Sequence, residues 1–240
     1  MIAKPSEGAD SPMTIRAILF DVGGPINTEV TLERQLDADI RAQLLAAGFA
    51  VDDEAYDRAC RFAVDSFAPN AYQAIIWYLT QRQDPPARSI YESVWRRARE
   101  RSVFELRPGI AQLLSDLHAR GVLLGLAANQ ATAVLGQLDA AGIGHYFQHR
   151  EVSGTHGYHK PDPRLFLRAC SDLGVEVTDC VMVGDRIDND IAPPQRLGMR
   201  TVLFRTGRHA KQMPRSWEEV PGAEVHEVEQ LRVVLLGQLH

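Results

Sequence analysis

Four short apolar runs limit what this chain can fold into: TIRAILF (14–20), VLLGLAA (122–128), CVMV (180–183) and MRTVLF (199–204). The first is strand-length, β-branched at its start and stopped by Asp21-x-Gly-Gly-Pro, as expected for a strand buried on both faces. From residue 105 onward, runs of this kind alternate with helix-length amphipathic segments. Helices are expected near Pro108 to Gly121, from Val134 to Gly142, after Pro161-x-Pro163, before Gly198 and around Val225 to Leu236. Such alternation implies a parallel sheet covered by helices on both faces.

Between the first run and the second there is no strand signal, only helical spacing. Leu32, Leu36, Ile40 and Leu44 recur every fourth residue and Gly48 closes that helix. A second helix is expected to follow Asp52 to about Phe67, and a third carries Tyr72, Ile75, Ile76 and Leu79. Asp84-Pro-Pro is expected to break the chain before a fourth helix over 87–102. The expected fold class is therefore α/β, a Rossmann-like doubly wound parallel sheet core at 13–28 and 105–240. An all-helical cap is inserted at 29–104, and a loose tail precedes the core at 1–12.

A chain of 240 residues can bury a full core and suits one domain plus an insertion. The formal charge of -5 argues against a nucleic-acid partner, which would need a basic face. No run approaches the ~20 apolar residues of a membrane span, and the first twelve residues lack the apolar centre of a signal peptide. Cys60, Cys170 and Cys180 are odd in number and form no CxxC pair, which is expected of reduced thiols and not of a disulfide frame or a zinc site. A cytoplasmic monomer or homodimer is the expectation, with neither membrane nor nucleic acid as partner.

In open parallel sheets the functional crevice lies at the carboxyl ends of the strands. There the first run delivers Asp21, the second delivers Asn129, and the third delivers Gly184-Asp185 followed by Asp188, Asn189 and Asp190. Lys160 stands immediately before Pro161-Asp162-Pro163. Singly, each is an ordinary helix start or cap. Converging on one crevice, the carboxylates would repel unless cations lay between them. Lys160 supplies one, and a hard divalent ion such as Mg2+ suits the oxygen ligands and leaves positions open for phosphate and water.

The order strand-Asp21, helical insertion, strand-Asn129, Lys160-Pro-Asp-Pro and VMVGDRIDND resembles the haloacid dehalogenase superfamily, with the insertion similar to its C1-type helical cap. The resemblance implies a Mg2+-dependent hydrolase, most often a phosphatase acting on a small phosphorylated metabolite. It casts Asp21 as the nucleophile that forms an aspartyl-phosphate, and Lys160 as the lysine that binds phosphoryl oxygens. Asn129 and Gly24 fall at phosphate-binding positions. Asp21, the backbone carbonyl of Gly23, Asp185 and Asp190 fall at metal-binding positions, and Asp188 at a solvent-facing or capping one.

Two positions depart from the family pattern. Gly23 stands where phosphatases of the family carry a general acid/base Asp, and Ala128 where a Ser or Thr bonds the phosphoryl group. A missing general acid costs ~10^2 to 10^4 in rate, and a lost charge-assisted hydroxyl bond about 1 to 3 kcal/mol. Activity restricted to activated leaving groups is thus expected. The alternative is a catalytically degraded phospho-ligand binding or regulatory protein. Dehalogenation ranks lower, because that branch replaces the metal-binding acids retained here. His149, His156 and His159 beside Lys160 are expected to be partly exposed loop residues and not a substitute acid. The cap aromatics are expected in its core and its arginines mostly in solvent. Pro193-Pro194 is expected to delay or stiffen the helix after Asp190.

Overall fold

A computed structural model describes residues 15–101, 104–237 and 239; the expected tail at 1–12 lies outside them. In chain order the elements are β1 (Ala17–Phe20), α1 (Val30–Ala46), α2 (Asp53–Asp65), α3 (Ala71–Leu79), α4 (Asp84–Arg101), α5 (Ile110–Ala119), β2 (Leu123–Leu126), α6 (Ala133–Ala140), α7 (Ser153–His156), α8 (Pro163–Leu173), β3 (Cys180–Gly184), α9 (Ala192–Arg196), β4 (Arg200–Phe204), β5 (Ala223–Val225) and α10 (Val228–Gly237). None of the helices among the described residues is long and apolar enough to cross a membrane. The chain forms two compact units. One holds the chain up to Thr28, Glu105–Thr206 and the chain from Met213; the other holds Glu29–Phe104 and Gly207–Gln212.

The first unit is a five-stranded sheet in the order β2-β1-β3-β4-β5, with every neighbouring pair parallel. The α/β, Rossmann-like core expected from the alternation is therefore present. β1 sits between β2 and β3, with Phe20 level with Leu126 and Val183. All four of its residues are fully buried. Ala17 and Leu19, with Cys180 and Met182 on β3, pack against Leu165, Phe166 and Ala169 of α8. Burying a side chain such as Phe166 contributes about 1.5–3 kcal/mol, so this layer holds α8 firmly on the sheet. Asp162 caps α8 by accepting from Arg164 N–H, and Pro163 occupies the first turn where no donor is needed.

The second unit is helical, as the spacing predicts, with Leu36, Ile40, Leu44, Ile75, Ile76, Ile90 and Val94 in its core. α2 begins where expected, because the Asp52 carboxylate accepts from Ala55 N–H at 2.7 Å. Two expectations are corrected. Asp84-Pro-Pro does not precede the fourth helix but opens it, since the first turn needs none of the N–H groups proline lacks. Gly207–Gln212, expected in the core, belongs to the helical unit. There the Arg208 guanidinium donates to Asp37 at 2.6 Å and to Cys60 Sγ at 3.1 Å, and lies 4.7 Å from the Tyr72 ring centre. Its backbone N–H donates to Glu33 at 2.9 Å, and the Tyr56 hydroxyl donates to the same Asp37 at 2.7 Å.

Candidate active site

All candidate residues named from the sequence lie in the first unit. Asp21 follows β1 directly, and its N–H donates to Val183 O at 2.8 Å, so the sheet ladder fixes its backbone. After it the chain turns tightly: Asn27 N–H donates to Val22 O at 2.8 Å and Gly24 N–H to Asn27 O at 3.0 Å. Thr28 N–H donates to Glu105 O at 2.8 Å, and Arg107 N–H to Ile26 O at 2.8 Å. The two ends of the insertion thus leave the sheet unit side by side.

Lys160 is buried, and its Nζ lies 3.0 Å from Asp21 Oδ1 and 2.6 Å from Asp190 Oδ1. Asp190 is fully buried, and its Oδ2 accepts from the backbone N–H groups of Asp185 at 3.1 Å and Arg186 at 3.0 Å. It is carried on a π-helical turn, Ile187–Ile191, that runs straight into α9. Pro193-Pro194 does not delay that helix, because both prolines fall in its first turn. Asp188, on the same turn, pairs with Arg186 at 2.5 Å.

Asp21 Oδ1 also accepts from Val22 N–H at 2.8 Å. Its Oδ2 accepts no hydrogen bond among the described residues, which leaves one carboxylate oxygen to act on a ligand. Burial pushes the Asp21 carboxyl up to about 6, against the pull of the Lys160 ammonium and with help from the Asp190 charge. Burial alone would lower the Lys160 ammonium, but Asp190 and Asp21 outweigh it and hold it above its ordinary value. Lys160 is therefore a fixed cation between two carboxylates.

Asn129 is placed differently from a ligand-facing amide. Its Nδ2 donates to Lys160 O at 3.0 Å, and its Oδ1 accepts from Lys160 N–H at 2.7 Å. This reciprocal pair clamps the Lys160 backbone, a positioning task that the side chain's place after β2 does not reveal. Two glycines permit close approach. Gly24 has φ +84°, and a Cβ there would stand 2.9 Å from Asp185 Cβ and Cγ. A Cβ on Gly184 would collide with the Asp190 carboxyl group. Gly184→Ala is expected to displace Asp190 and to lower the thermal unfolding midpoint by the equivalent of about 1–3 kcal/mol, which thermal unfolding checks.

Asp21, Asp185 and Asp190 each offer a carboxylate oxygen, and these atoms lie within 4.8 Å of one another. That donor set fits a hard divalent ion. Both Asp190 oxygens already serve Lys160 and two N–H groups. His149 corrects another expectation: it is buried, because its backbone joins the edge of β2 through Leu126 N–H to His149 O at 3.0 Å. Its Nδ1 lies 3.1 Å from Asp172. His156 is half-buried and His159 exposed.

A family model described as haloacid dehalogenase-like hydrolase matches residues 15–198. A glyceraldehyde 3-phosphate phosphatase of Methanopyrus kandleri is 27% identical over 216 residues, covering 88% of this chain and 93% of its own. A phosphoserine phosphatase of Thermus thermophilus is 34% identical over 122 residues, covering 50% of this chain and 48% of its own. Among solved structures, a predicted phosphoglycolate phosphatase from Haemophilus somnus 129pt superposes with a TM-score of 0.69 at 18% identity, covering 92% of this chain and 98% of that one.

Proposed function

The chain belongs to the haloacid dehalogenase-like hydrolases, and we propose that it is a Mg2+-dependent phosphatase of a small phosphorylated metabolite, working through a covalent phosphate on Asp21. The observation that carries this reading is the buried Lys160 held between Asp21 and Asp190, 3.0 and 2.6 Å away. A buried, charge-balanced lysine beside a carboxylate with one oxygen left over suits phosphoryl transfer, which rests on positioning and charge neutralisation. The phosphatases among its relatives support the same class.

Asp21 Oδ2 attacks phosphorus in line, a P–O bond to Asp21 forms, and the bond to the leaving oxygen breaks with its electron pair. Water then attacks the phosphorus of the acyl phosphate, releasing inorganic phosphate and restoring the carboxylate. Lys160 faces the phosphoryl oxygens and keeps Asp21 oriented, while Asn129 and Asp190 hold Lys160 in place. Mg2+ held by Asp21, Asp185 and the Gly23 carbonyl would neutralise phosphoryl charge when bound. Gly23 cannot give the leaving oxygen a proton, so acyl phosphates, anhydrides and activated esters are the favoured substrates.

The test is turnover of acetyl phosphate and p-nitrophenyl phosphate with Mg2+ and after its removal by chelation. Rates that fall to background on chelation and return with Mg2+ support the reading; rates untouched by chelation overturn its metal requirement. Gly23→Asp is expected to raise turnover of alkyl phosphates by about 10^2-fold or more, and that of acetyl phosphate much less. Equal responses from the two substrate types would show that leaving-group protonation is not what limits this site.

A further inference from the structure

Cys170 and Cys180 stand ten positions apart, yet their sulfurs lie 3.4 Å apart in the buried layer between α8 and β3. Both side chains are buried: 2% of Cys170 is exposed, and none of Cys180. Cys180 opens β3 level with Ala17, at the end of the sheet opposite to Asp21 and Asp185. The connection between the two sulfurs is short: α8 ends at Leu173, Gly174 turns the chain with φ +65°, and Ser171, Asp172, Gly174, Glu176 and Thr178 are exposed. Cys60, the remaining thiol, belongs to the other unit.

We propose that Cys170 and Cys180 are an oxidisable dithiol that closes to a disulfide within the folded sheet unit. The sulfurs already touch at 3.4 Å, so closure brings them from contact to a bonding distance of about 2.05 Å. The hydrogen bond between the two thiols, in which either sulfur can donate, lowers the Cys170 thiol and favours it as the attacking group. With a low-molecular-weight disulfide such as oxidised glutathione, the Cys170 thiolate attacks one sulfur and releases one glutathione thiolate. Cys180, on losing its proton, attacks the Cys170 sulfur of the mixed disulfide and releases the second. Two protein thiols and one small disulfide become one protein disulfide and two small thiols. Access comes through local opening of the exposed turn at 174–179. The closed form ties α8, which follows Lys160, to β3, which leads to Asp185.

The test uses the whole chain carrying Cys60→Ser, incubated with oxidised glutathione with and without denaturant, then quenched in acid. Trypsin leaves both cysteines on one peptide, 169–186, which has no internal Lys or Arg. Cleavage after Glu176 then separates them unless a disulfide joins them. The expected result is a peptide two hydrogens lighter, joined after the second cleavage and resistant to alkylation, formed without denaturant and released by reductant. Thermal unfolding of the oxidised protein is expected to shift upward by several degrees, because the closed loop restricts the unfolded chain. Full alkylation of both cysteines after native oxidation overturns the proposal. So does closure that occurs only in denaturant, or a closed form that unfolds at a lower temperature than the reduced one.

Discussion

Replacing Asp21 by Asn is expected to reduce turnover of p-nitrophenyl phosphate by at least about 10^3-fold while leaving the protein folded. Asn keeps the size of the side chain but cannot form the acyl phosphate, and losing a covalent nucleophile removes most of the rate that the rest of the site can support. The same substitution is expected to raise the unfolding midpoint of the metal-free protein at neutral pH. Burial lifts the folded Asp21 carboxyl to about 6, so the folded state holds that proton more tightly than the unfolded state does. Its contribution to stability is therefore lost as pH rises from the ordinary carboxylate value through about 6. An uncharged Asn removes that cost, and the gap between the two proteins should narrow below pH 4. A variant that is inactive and no less stable would identify Asp21 as a functional charge held at the expense of stability. Equal turnover in wild type and variant would instead favour the phospho-ligand binding reading.

Lys160→Ala is expected to be more damaging to the fold. Lys160 is the cation between Asp21 and Asp190, and the fully buried Asp190 would lose its charge partner. Removing one member of a buried pair costs about 3–5 kcal/mol, because the other charge is left without compensation. Turnover is expected to vanish as well, since the phosphoryl oxygens lose their fixed positive charge. Thermal unfolding of the double variant Lys160→Ala/Asp190→Asn separates the causes. If the uncompensated Asp190 charge is what costs stability, the second substitution should recover most of the loss. A deficit that persists in the double variant would point to the lost packing of the lysine stem.

Much of the core was legible because its information is local. β1 to β3 appear in the sequence as continuous apolar runs, each followed by Asp21, Asn129 or Asp185, and β4 as a shorter one behind Arg200 and Thr201. β5, only Ala223–Val225 with Glu224 at its centre, has no such run; it is a short edge strand recognised only by its pairing with β4. The features that escaped notice are set by contacts between distant positions. The amide of Asn129 turns to the Lys160 backbone, 31 positions away, a partnership no spacing rule encodes. His149 sits in a polar-looking loop but joins the edge of the sheet through backbone bonds, which any side chain could accompany. The pairing of Cys170 with Cys180 depends on α8 folding back along β3, and so is visible only once the layers are assembled.

The segment Gly207–Gln212 has a consequence for how such a chain can be recombined. The insertion invites excision: Thr28 and Glu105 are hydrogen-bonded neighbours, and a short graft could join them. Yet deletion of residues 29–104 would leave Arg208 behind without Asp37, Glu33 or the Tyr72 ring. The exchangeable cassette is therefore discontinuous, two pieces of sequence that have to be inherited together. A chimera that swaps only the long piece carries a guanidinium meant for a carboxylate that is no longer there.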